Sequence, residues 1–116
     1  MKIRTADLTG PALDWAVAKV WYGPEYDMSI PLFDDGLIFQ PSVLWQHGGP
    51  IIEREEVSIR HEIPAMRDSI WQARPSLSAK GAGGRWGVGP TPLIAAMRCY
   101  VASKLGDTID IPEELA

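Results

Sequence analysis

The sequence predicts an α+β fold: a small antiparallel β-sheet packed with an N-terminal and a C-terminal helix. Three observations carry that reading. Residues 8–23, LTGPALDWAVAKVWYG, repeat apolar side chains at helical spacing behind a proline-bearing start. Residues 91–106, TPLIAAMRCYVASKLG, do the same. Between them prolines and glycines cut the chain into short runs, two of which alternate as strands do. With 116 residues, of which 46 % are apolar and 22 % charged, the chain is long enough to bury one core and is read as a single domain over 1–116.

The first helix takes Thr9 or Gly10 as its cap and Pro11 just inside, where the missing N–H is no loss. Leu13, Ala16, Val17 and Val20 form its core stripe, Asp14 and Lys19 fall off that stripe, and Gly23–Pro24 ends it. Residues 24–50 read as irregular. Asp35–Gly36 between apolar runs signals a hairpin, QPSVLWQHGGP is too broken for a long element, and Gly48–Gly49–Pro50 marks a turn. IIEREEVSIRHEI then alternates, with Val57, Ile59 and His61 on one face of a strand and Ser58, Arg60 and Glu62 on the other. SIWQARPS supplies a second strand, Ile70 and Gln72 opposing Trp71 and Ala73, and the pattern leaves open which face is buried.

LSAKGAGGRWGVG reads as a flexible connection. The last helix is the clearest element, with Thr91 as cap and Pro92 at its first position. Its stripe is Leu93, Ala96, Met97 and Tyr100, widened by Ile94, Val101 and Leu105, and Gly106 closes it. The acidic tail DTIDIPEELA carries Ile109 and Ile111, which can dock before Pro112.

Composition narrows the function classes. The formal net charge is −4 and the basic residues are scattered, which argues against binding a nucleic-acid backbone. Cys99 is the only cysteine, so a reducing compartment is expected. No run reaches the roughly 20 apolar residues of a membrane span, and MKIRTADLTG lacks the apolar core of a signal peptide. A cytoplasmic protein with no membrane partner is the expectation.

The stretch GGRWGVGPTPLIAAMR invites a phosphate-loop reading and fails it. No lysine precedes a serine or threonine at its end, and the G-x-G-x-x-G register started at Gly81 places Trp86 in its last position. Pro90 and Pro92 also remove donors beside the helix start. His47 and His61 have no cysteine partner at zinc-ligand spacing, so no metal is expected. HGG at 47–49 lacks the G-x-S-x-G elbow that accompanies a lipase oxyanion loop. Glu53, Glu55 and Glu56 read as a solvated face or helix start before a catalytic pair, and Cys99 as a packing residue before a nucleophile.

No catalytic residue and no cofactor are assigned, and the chain is read as a binding protein rather than an enzyme. Trp45, His47, Glu53, Arg54, Arg85 and Trp86 are the expected surface site, because large polar and aromatic groups in glycine-bearing loops have no core duty. The expected partner is another protein. Two alternatives stand beside it: a small anionic, nucleotide-like ligand held by Arg85 and Trp86, and a hydrolase using Glu53 with His47 or His61.

LTGPALDWAVAK at 8–19, GGPIIERE at 48–55 and GPTPLIAAMRCYVASKLGDTIDIPEEL at 89–115 together resemble the ninX-type family of small proteins from lambdoid phages and prophages. The closing module, a tryptophan strand, a glycine-rich loop and the GPTPL…AAMR helix, is also similar to phage α–β–α sandwich domains. PSVLWQHGG departs from the family pattern, which carries Thr–Asp before the tryptophan, so no role of that acid transfers to Val43–Leu44. The resemblance implies a phage accessory protein of the bacterial cytoplasm, dispensable or conditional, whose partner would be a host or phage protein, and brings no catalytic residue with it.

Overall fold

Helix 92–105 is the element on which the others are assembled. The computed structural model describes residues 1–25, 38–63, 70–76 and 86–115. In chain order these form β1 (Lys2–Arg4), α1 (Gly10–Trp21), α2 (Trp45–Glu55), β2 (Ser58–Glu62), β3 (Ile70–Arg74), β4 (Gly87–Gly89), α3 (Pro92–Leu105) and β5 (Thr108–Asp110), with short 3-10 turns at Thr5–Asp7 and Glu113–Leu115. The α+β class is as the sequence predicts. The single sheet is corrected to two, the antiparallel ribbon β1–β5 and the antiparallel sheet β2–β3–β4.

α3 starts as its sequence requires. The Thr91 Oγ accepts the Ile94 N–H at 3.1 Å, and Pro92 occupies the first turn. Its burial exceeds one stripe: Leu93, Ala95, Ala96, Met97, Cys99, Tyr100, Val101 and Ala102 are all buried, because β2–β4 cover one side while α1 and α2 cover another. Leu105, expected to widen the stripe, is exposed at the helix end. α1 contributes Leu13, Ala16 and Val17 to the core, joined by Phe39, Ile51, Met97, Tyr100 and Ile111. Burying side chains of this size stabilises the fold by about 1.5–3 kcal/mol each.

Two local expectations change. Asp14, placed off the α1 stripe, is 4 % exposed. Its Oδ1 accepts the Ser42 N–H at 2.8 Å and so anchors the turn that leads into α2. Burial pushes its carboxyl above the usual value, and the bonds from Ser42 pull the other way. The stretch read as too broken for a long element is α2, with Pro50 inside it. The proline removes one helical hydrogen bond, and burial of His47, Gly48 and Ile51 on one face outweighs that loss. The ends of the chain meet: β1 pairs with β5, Ile3 opposite Ile109, and Ile111 docks in the core as expected. The hairpin signal at Asp35–Gly36 lies outside the described residues.

β2 and β3 form where strands were read, and the structure pairs them antiparallel, Ile59 opposite Ala73 and His61 opposite Trp71. The face that the pattern left open is now assigned. Ala73 is buried and Trp71 packs against the core, so the odd-numbered residues face α3. Among the described residues, no helix is long and apolar enough to cross a membrane.

Candidate functional site

In the stretch GGRWGVGPTPL, Gly87 and Gly89 serve packing. A Cβ at Gly87 would collide with the Ala95 carbonyl oxygen and the Cys99 backbone of α3. One at Gly89 would sit 2.8 Å from the Ile94 side chain and 3.0 Å from the Ala95 nitrogen. Strand glycines at every second position thus let β4 lie directly on the helix backbone. Because side chains alternate across a strand, the residues that alternate with them, Trp86 and Val88, point out and are exposed.

Arg98 locks this arrangement. Its Nε donates to the Leu8 carbonyl at 2.8 Å and its Nη1 to the Val88 carbonyl at 2.7 Å, so α3 ties the start of α1 to β4. Burial pulls its pKa below the usual guanidinium value, opposed by the nearby Asp7. Beside it lies an open groove of about 770 Å³, lined by Arg4, Thr5, Ala6, Trp86, Val88, Arg98, Ala102, Asp107 and Thr108. Trp86 is 49 % exposed at its rim. The Arg74 guanidinium stacks on the indole 4.0 Å from the ring centre. The pairing of Ala73 with Gly87 makes this a cross-strand contact, since Arg74 and Trp86 are the next residues along.

The other expected site residues fall elsewhere. Trp45, His47, Glu53 and Arg54 all lie on α2 rather than on a loop. His47 is 3 % exposed, stacks on Phe39 with ring centres 5.8 Å apart, and accepts the Gln40 N–H on Nδ1 at 2.9 Å. Its core duty corrects the expectation of a surface role. Arg54 lies over the Trp21 ring at 3.6 Å and beside Glu55, which bridges to Lys104 at 2.9 Å. That cluster ties the end of α2 to α1 and α3. Glu53 is exposed.

Trp45, 55 % exposed, lines a shallow apolar groove of about 320 Å³ with Ser42, Val43, Thr91, Pro92, Leu93 and Ile94. This groove shares no lining residue with that of Trp86. Arg85 lies outside the described residues. Sequence reasoning missed Arg4, Arg74 and Arg98. Only Arg98 had a local signal, as the one charge inside the apolar run LIAAMRCYVA. Arg74 needed the β3–β4 register.

The Cys99 thiol is buried, and burial pushes its pKa to about 11. His47 has its Nδ1 occupied, and His61 stacks on Trp71 at 4.4 Å. Among the described residues, no group of three or more His, Cys, Asp or Glu side chains is placed to hold a metal ion.

The sequence matches the family model described as Bacteriophage P22, NinX over residues 4–104. The chain belongs to that family. No curated protein matches it at a significant level.

Proposed function

We propose that this member of the phage NinX family, a phage accessory protein, works in the bacterial cytoplasm by binding a host or phage protein, without catalysing a reaction. One observation carries the proposal. The groove beside β4 is lined by a half-exposed tryptophan and two arginines, Arg4 and Arg98, and a third arginine, Arg74, stacks on that tryptophan. Tryptophan and arginine are the side chains that dominate protein contact surfaces. Among the described residues, Trp86 belongs neither to the core cluster nor to the partly buried side chains packed against it.

The test is affinity purification of the tagged protein from phage-infected cells. Wild type and Trp45→Ala should retain the same identified partner, and Trp86→Ala should lose it. Retention by Trp86→Ala, or no partner with wild type, overturns the reading. A second reading, a small anionic ring compound stacked on Trp86, draws on the Arg74–Trp86 stack. It requires a concentration-dependent rise in melting temperature with nucleotides, and a flat response eliminates it.

A further inference from the structure

We infer that the Trp86 groove takes an extended, acidic segment of the partner protein, lying along the outer edge of β4 with its carboxylates at Arg98 and Arg4. This rests on the binding reading above and adds the chemistry of the occupant.

The edge comes from the register. β4 pairs Gly89 with Trp71 and Gly87 with Ala73. Pro90 has no N–H with which to continue the ladder, so the ladder bonds fall on Gly87 and Gly89. The N–H and C=O of Val88 therefore point away from β3. The Val88 carbonyl meets Arg98 there, on the floor of the groove. With the Val88 carbonyl held by Arg98, an extended segment beside β4 meets the outward Val88 N–H and two outward side chains, Trp86 and Val88, to pack against.

The charge comes from the lining. Arg98 spends Nε and Nη1 on two neutral carbonyls, and among the described residues its Nη2 makes no hydrogen bond. Arg4, on the facing wall, is largely exposed, its carboxylate neighbour Asp7 3.6 Å away. Two arginines, Arg4 and Arg98, line the groove with one aspartate, Asp107, and Arg74 stacks on Trp86 beside them, in a chain whose formal net charge is −4. An arginine held in a partly buried wall binds a carboxylate more strongly than a solvated one does. The same inequality steers an acidic guest towards this side of an otherwise acidic protein.

The experiment is an array of octapeptides in three composition classes, rich in Asp and Glu, rich in Lys and Arg, or uncharged, probed with the full chain. Asp/Glu-rich peptides should be retained, and retention should fall at least tenfold with Arg4→Gln and with Trp86→Ala. Arg4 is exposed, so its replacement leaves the fold intact, and a circular dichroism melt of each variant verifies this. Retention without preference for acidic peptides, retention unchanged in Arg4→Gln, or displacement of the acidic peptides by an oligothymidylate would overturn the inference. Those results combined with a cellular partner lost in Trp86→Ala would leave the binding reading standing. A partner retained by Trp86→Ala would remove both.

Discussion

WQHGGPIIERE and RWGVGPTPL look alike in the sequence: each sets glycine and proline beside a tryptophan and charged groups. The structure puts them to opposite uses. The first is α2, where Gly48 lies against Pro41 and Leu93 and the helix carries His47 inward. At 3.6 residues per turn, polar and aromatic side chains are distributed around the axis and several are drawn into packing. The second enters β4, where the period is two. Gly87 and Gly89 take every inward position, so Trp86 and Val88 are exposed by geometry. Period, rather than composition, decides which aromatic residue remains available to a partner.

The sharpest way to break this comparison is to fill an inward position of β4. Gly87→Ala forces the strand off α3 and is expected to destabilise by about 3 kcal/mol, at the upper end of overpacking effects, in urea unfolding. Gly49→Ala, where a Cβ meets nothing within 4 Å, should stabilise α2 by about 0.5–1 kcal/mol. An equal loss in both would show that the close approach of β4 to α3 is not what requires glycine.

Asp14→Ala comes next. It leaves the Ser42 N–H buried without its acceptor and should destabilise by about 1–3 kcal/mol. Asp14→Asn keeps an acceptor oxygen and removes the titration. Since the Asp14 pKa is raised above 3.8 in the folded protein, its contribution is complete below that value and is lost as pH rises through the folded pKa. Wild type should therefore lose stability relative to Asp14→Asn over that rise, as read from denaturation midpoints across pH. A parallel pair of pH curves would refute this.

Glu55 has the opposite sign. Partial burial pushes its pKa up, but Lys104 and Arg54 outweigh burial and the net shift is downward from 4.5. Its contribution is present above 4.5 and disappears as pH falls through the folded pKa. Lys104→Met should lose about 0.5–1 kcal/mol at neutral pH and little at low pH.

The smallest effect on stability belongs to Trp86→Ala, which removes an exposed stack worth about 0.5–1 kcal/mol. It should nonetheless abolish partner binding, whereas Trp45→Ala should spare it. That contrast tests the division between the two regions most directly.

By itself the sequence determined the α+β class, both long helices, the Thr91 cap of α3, and the β2 and β3 segments. Each depends on local periodicity, cap chemistry or proline placement, which neighbouring residues encode. It also ruled out both phosphate templates, a matter of spacing alone. Tertiary structure decided the rest. α2 forms through a proline because burial of Ile51 and His47 exceeds the loss of one hydrogen bond. The β1–β5 ribbon joins residues more than a hundred positions apart. β4 is a strand of only three residues, held by β3 and by contact with α3. The groove exists only where those distant pieces meet: Arg4 arrives on β1, Arg98 on α3 and Trp86 beside β4. No local pattern signals such a meeting, since it arises from the packing of separate elements on one helix.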